Sequence, residues 1–139
     1  MTIKQISIFL ENQAGYLNRA LTILSKHEIN IKALTIADTA DFGIVRLVVS
    51  DPNKAFEVLK NENYTVSIQD ILSIEMSAAP GSLSTILDLF TAKELSIEYI
   101  YAFSYGSKSI LVIRPTNREK AEEIIRENNL KTVSEGDLK

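Results

Sequence analysis

The stretch Glu11-Asn12-Gln13-Ala14-Gly15-Tyr16-Leu17 carries the residue types best suited to hold a ligand. It joins a strand-like alternation to a helical spacing through a short polar turn that contains one glycine. The first backbone N–H groups of a helix have no internal partner and lie at the positive end of the helix dipole, so they suit a carboxylate. Asn12 adds a side-chain donor and acceptor at the same place. The same residues also admit a purely structural role, with Asn12 capping the helix and Gly15 relieving a tight backbone. Catalytic chemistry has fewer candidates. The single histidine, His27, falls at the expected end of a helix, where a charged imidazole interacts favourably with the dipole. Glu119, Glu122 and Glu123 sit beside Arg118, Lys120 and Arg126 and read as a solvated helix face. No catalytic residue, metal site or cofactor is expected.

A chain of 139 residues with 45% hydrophobic content can bury a real core, and its length suits one ordinary domain or two very small ones. A net charge of -3 argues against a nucleic-acid surface, which needs concentrated Lys and Arg. There is no cysteine, so disulfides, thiol catalysis and thiolate metal sites are excluded. No long apolar run resembles a leader or a membrane span, and a soluble cytoplasmic protein is expected.

The elements that must position the turn follow from periodicity. From Ile3 to Leu10, Ile6, Ile8 and Leu10 share one strand face and Gln5, Ser7 and Phe9 the other. Leu17, Ala20, Leu21 and Leu24 then keep helical spacing, to an end near Lys26-His27-Glu28. Ile29 to Ala37 and Gly43 to Ser50 read as two strands joined by a hairpin connection, Asp38-Thr-Ala-Asp-Phe-Gly43. Ser50-Asp51-Pro52 starts a second helix, with Ala55, Val58 and Leu59 on its apolar side, and Tyr64 to Ile68 gives a fourth strand. The first half therefore spells β-α-β-β-α-β.

Shifting the chain by about 66 residues superposes its halves without a gap. Gly15 meets Gly81, Leu17 meets Leu83, Ile31 meets Ile97, and Asn63 meets Asn129. The loop Ser77-Ala-Ala-Pro-Gly-Ser-Leu83 repeats the opening turn, with Pro80 rigidifying it before Gly81. Two modules are expected, at residues 1–69 and 70–139, separated only by Gln69 and Asp70. Each needs both helices on one face of a four-stranded antiparallel sheet. The second strand of each copy is then an edge, and joining the two edges would make one eight-stranded sheet. Tyr99, Tyr101, Phe103 and Tyr105 alternate along that strand of the second copy as an aromatic row, read as a core or sheet-face contact rather than a stacking platform.

These residues resemble the ACT domain, an amino-acid-sensing module of β-α-β-β-α-β order, once per repeat over essentially the whole chain. The resemblance implies an α+β fold of two tandem ferredoxin-like modules. It also implies a ligand held by the turn after strand one, beside the start of strand two of a neighbouring domain. Asn12, Gly15 and Leu17 match that turn, which in the family often reads Asn-x-Pro-Gly-x-Leu, and Asn30 matches the polar residue at the start of strand two. In the second copy Ala78 replaces the loop Asn and Ser96 the strand Asn, whereas Pro80-Gly81 fits the loop better than Ala14-Gly15. The implied ligand contacts are Leu10, Asn12, Gln13, Ala14, Gly15, Tyr16, Leu17 and Asn30, with Ala78, Pro80, Gly81, Ser82, Leu83 and Ser96. The segment from Ile6 to Asp38 is also similar to the start of the acetolactate synthase regulatory subunit, a likeness that stops at the first half. The reading that follows is a regulatory protein that binds a free amino acid between ACT modules and forms a homodimer. The alternative is an interaction subunit of an amino-acid-metabolism enzyme with no small ligand of its own. No nucleic acid or membrane partner is expected. Acylphosphatases share the element order but use a loop arginine that residues 11–17 lack. RNA-recognition modules share it too, but they place aromatics and basic residues on central strands that here carry Ile6, Ile8 and Leu10.

Overall fold

The computed structural model describes residues 1–11, 13–38 and 42–138. The chain forms two compact units, Lys4–Asp70 and Met1–Ile3 together with Ile71–Lys139. The first holds most of β1 (Thr2–Glu11), helix α1 (Tyr16–Lys26), β2 (Ile31–Asp38), β3 (Phe42–Val49), helix α2 (Pro52–Asn61) and the beginning of β4 (Thr65–Met76). The second holds the rest of β4, helix α3 (Ser82–Ala92), β5 (Ile97–Tyr105), β6 (Lys108–Pro115), helix α4 (Arg118–Glu127) and a short 3-10 helix at Glu135–Leu138. Among the described residues no helix is long and apolar enough to cross a membrane.

In the Lys4–Asp70 unit the strand order is β2-β3-β1-β4, with β1 and β2 antiparallel to β3. Ile6 and Ile8 lie opposite Leu47 and Val45, so their side chains share one face, and all four are buried. That face packs on Ala20 and Leu24 of α1 and on Ala55 and Leu59 of α2. Each large aliphatic side chain buried there contributes about 1.5 to 3 kcal/mol. On the opposite face Phe9 is exposed and Ser7 half-buried, but Gln5 is fully buried, where its side-chain N–H donates to Gln69 Oε1 at 3.4 Å. The hairpin connection expected after Asp38 falls at residues 39–41, outside those described.

The second unit repeats the plan in the order β4-β6-β5, antiparallel throughout. Leu72, Ile74, Leu111 and Ile113 bury against Ile86 and Phe90 of α3 and Ala121, Ile124 and Ile125 of α4. On β5, Tyr99, Tyr101 and Phe103 are half-buried and sit in register with Arg114, Val112 and Ile110, on the face away from Leu111 and Ile113. The Tyr99 and Tyr101 rings stack with centroids 6.5 Å apart, so the aromatic row is a sheet-face contact.

Two strand expectations change. Gln69 and Asp70 do not separate two strands; they lie inside β4, which runs unbroken from Thr65 to Met76. Their polar side chains bond to β1. Ser7 Oγ donates to Gln69 Oε1 at 2.9 Å, and Lys4 Nζ reaches Asp70 Oδ1 at 2.8 Å. The fourth strand of the second module is also reduced, to a single bridge between Ile74 and Thr132. Beside it, Ser73 N–H donates to the Met1 carbonyl at 3.2 Å, so the first residues of the chain fill part of that position. Within its own unit β2 is an edge strand, as is β5 in the other.

All four helices end the same way. The residues just past them, Glu28, Asn63, Glu94 and Asn129, take left-handed φ values of 57°, 68°, 55° and 51°. One residue later an N–H reaches back five residues, as Ile29 to Leu24 and Leu95 to Phe90, both at 3.0 Å. This double turn satisfies carbonyls that the helix leaves open. Glutamate is poorly suited to the left-handed region, which costs a non-glycine residue about 1 to 2 kcal/mol, part of which glycine returns through its freer unfolded chain. We therefore expect Glu28→Gly and Glu94→Gly each to stabilise the protein by about 0.5 to 1 kcal/mol. Urea denaturation checks this, and a loss of stability in either variant would refute the assignment of strain.

Candidate functional site

The four helices begin in two different ways. At α2, Asp51 Oδ1 accepts from Lys54 N–H at 3.2 Å with Pro52 in the first turn, and at α4, Asn117 Oδ1 accepts from Lys120 N–H at 3.1 Å. These are closed N-caps. Helices α1 and α3 instead start on Gly15 and Gly81, with φ of 83° and 86°, and among the described residues no side chain caps either. Their first amides turn back on the loop, Tyr16 N–H donating to the Gln13 carbonyl at 3.2 Å and Ser82 N–H to the Ala79 carbonyl at 3.3 Å, and among the described residues neither first turn holds an acidic side chain to offset the dipole. The tight backbone expected of Gly15 is confirmed by its φ, and Gly15 itself holds the N-cap position. Asn12, the other residue singled out in this turn, lies outside the described residues.

At α3 the start opens on a cavity of about 620 Å3. Ala78, Gly81, Ser82 and Leu83 line it, together with Met76 and Ser77 at the end of β4. Ser84, Leu87 and Asp88 continue the wall along the helix, and Ser109 comes from β6, where it lies opposite Met76 in register. Uncapped amides, a carboxylate and apolar side chains thus surround one space. That set can receive a carboxylate, an ammonium and a hydrocarbon group respectively. Ser84 and Asp88 were missed from sequence; the available signal was their spacing of four, which stacks them on one side of α3.

The other expected contacts are placed as follows. Pro80 belongs to the turn before Gly81 but does not line the cavity. In the first copy, Gln13 is exposed, with its N–H bonded to the Glu11 carbonyl at 2.8 Å, and Ala14 is exposed beside it. Leu10 is buried, and Tyr16 and Leu17 pack on the core, so these three have a structural use. The Tyr16 carbonyl accepts from the Tyr64 hydroxyl at 3.1 Å, and the two rings meet edge to face at 5.0 Å. Burial raises the Tyr64 phenol above its ordinary range, although nearby Arg19 opposes this. Asn30 and Ser96 each tie the start of a strand to the end of its neighbour. The Asn30 carbonyl accepts from Ser50 N–H at 2.9 Å, and the Ser96 carbonyl from Thr116 N–H at 3.0 Å. Ser96 does not line the cavity at α3. Among the described residues no cluster of His, Asp or Glu could hold a metal ion.

The comparisons with known proteins agree with this architecture. Residues 1–139 match the family model described as an ACT domain pair, and the chain belongs to that family of two-module proteins. Protein BT0572 of Bacteroides thetaiotaomicron has a crystal structure similar to this chain at a TM-score of 0.90 and 41% identity, covering 99% of this chain and 96% of that one. The ligand-free regulatory subunit of aspartate kinase from Thermus thermophilus is similar at a TM-score of 0.62 and 17% identity, over 91% and 90% of the two chains. The corresponding subunit from Thermus flavus gives 0.60 and 16%, over 88% of each. The two Thermus proteins share the fold. No curated protein matches the sequence.

A Cβ added at Gly15 or Gly81 would meet nothing within 4 Å, so alanine there is opposed by backbone strain alone. Gly15→Ala and Gly81→Ala should each cost about 1 to 2 kcal/mol by chemical denaturation. Costs near zero would show that neither turn needs the left-handed conformation.

Proposed function

We propose that this protein is a non-catalytic cytoplasmic sensor that binds a free amino acid at the glycine turns opening α1 and α3. A further wall of each site comes from another ACT module, as the family resemblance implies. The observation that carries the reading is the contrast in helix starts: both β-α turns leave first-turn amides without a side-chain cap among the described residues, whereas α2 and α4 are closed. An amino-acid carboxylate satisfies such amides, and the cavity beside Gly81 adds Asp88 for the ammonium and Met76, Leu83 and Leu87 for an apolar side chain. In the first copy Asn12 supplies a polar partner that Ala78 cannot. Membership of the ACT domain pair family supports the regulatory role.

A ligand that binds only the native state adds about 2.7 kcal/mol at a hundred times its Kd. A thermal-shift screen of the standard amino acids at millimolar concentration should therefore show at least one clear rise in Tm. Asn12→Ala should weaken that ligand by about 1 to 3 kcal/mol in calorimetry, roughly five-fold to more than a hundredfold. A flat screen would sink the sensor reading; unchanged affinity in Asn12→Ala would remove that residue from the site.

We also propose a homodimer, supported by the row of exposed apolar residues on β2, Ile31, Leu34 and Ile36. Leu34 and Ile36 share a face with the buried Leu47 and Val45 yet lie at the open edge of the strand order, a margin that a second copy can cover. The same edge would serve the alternative role of a regulatory subunit docking on an amino-acid-metabolism enzyme. Light scattering should give a dimer for the natural protein and a monomer for Leu34→Lys. A monomer at every concentration, with and without amino acid, would rule the dimer out.

A further inference from the structure

A second cavity, of about 550 Å3, lies in the unit containing Ile71–Lys139 and shares no lining residue with the one at α3. Its walls are the end of β4, the turn between β5 and β6, and the segment after α4. Two cations and two anions converge there, Lys108 and Lys131 with Glu75 and Asp137, beside the buried Ile110 and Val133. The four charges are not equally committed. Lys108 Nζ bonds Glu75 at 2.9 Å, and that bond holds the Glu75 carboxyl below its usual range and the Lys108 ammonium above its own. Lys131 is 3.7 Å from the same carboxylate with its side chain 82% exposed, a geometry that contributes little. Its ammonium can turn to a ligand while Lys108 keeps Glu75 neutralised. Asp137 accepts Ser134 N–H at 2.9 Å through Oδ2, and its negative charge also favours the Lys108 ammonium, so it faces the cationic side of the cavity.

Equal numbers of opposite charges give a site of zero net charge, which a ligand of single sign gains little by entering. A ligand carrying both signs matches it. We propose that this cavity binds a small zwitterion, with its carboxylate on Lys131, its ammonium on Asp137 and its hydrocarbon over Ile110 and Val133. The volume lies within the range of ordinary small-molecule sites, roughly 300 to 1,000 Å3. This site is separate from the helix starts and stands whether or not they bind an amino acid.

The test is an amide chemical-shift titration of the isotope-labelled protein with glycine, β-alanine and γ-aminobutyrate, which space the two charges differently. Acetate and methylammonium serve as single-charge controls. At least one zwitterion should shift Ser107, Thr132 and Val133 saturably. Lys131→Met and Asp137→Asn should each weaken it about five-fold or more, and Lys131→Met should leave Tm unchanged because that side chain is exposed. No saturable shift at those residues, shifts confined to residues 77–84, acetate binding as tightly as every zwitterion, or unchanged affinity in Lys131→Met would each overturn the proposal. Shifts confined to 77–84 would still support the helix-start reading, so the two sites fail separately.

Discussion

The left-handed stop at the end of each helix is the constraint on which the rest of the chain depends. A helix that ran one residue longer would deliver the next strand with its side chains on the wrong faces, because strand faces alternate with a period of two. The stops at Glu28 and Glu94 are each followed by a side chain that must enter the core, Ile29 and Leu95, and both are buried. The same is true of Asn63, where buried Tyr64 also reaches back to the start of α1 through its hydroxyl. Helix termination, strand register and the position of the glycine turn are thus one problem solved together, and it is solved identically at residues 66 apart: 28 and 94, 63 and 129.

The two kinds of helix start have an energetic meaning. A side-chain cap is worth about 1 kcal/mol, and Asp51 and Asn117 show that this chain supplies caps where a helix merely has to begin. At Gly15 and Gly81 no such acceptor stands among the described residues, in both copies. Sites that hold a ligand commonly forgo stability in this way, keeping polar groups open that a purely structural turn would close.

Much of this was legible from residue order because the same local rules act twice. Apolar spacing identified the helices, Asp51-Pro52 marked a start, and the gapless repeat tied Gly15 to Gly81. What escaped was set by neighbours distant in sequence. Gln69-Asp70 reads as a break between two strands until Ser7 and Lys4 are placed beside it. The first helix was expected to end near Lys26-His27-Glu28, and it does, but glutamate carries no mark of a left-handed residue, so the conformation that makes the stop at Glu28 and Glu94 was not legible. The cavity at α3 needed the register of Met76 against Ser109, which no local pattern encodes. The aromatic row was legible as alternation, and its place on the sheet face follows from pairing with Val112 and Ile110.

The hydrogen bond from Ser73 to Met1 has a consequence for how the chain can be made and divided. The second unit is not a contiguous stretch of polypeptide, since it recruits Met1–Ile3 from the opposite end of the chain. Their partners on β4 lie some seventy residues further along the chain, and closing so large a loop is slow relative to local turns. A fragment beginning at Ile71 would lose the Met1 carbonyl that accepts from Ser73, and one ending at Asp70 would lose the second half of β4. The sequence repeat suggests two halves of equal make-up, but the compact units are unlike: one is the single stretch Lys4–Asp70, and the other is assembled from two separate stretches.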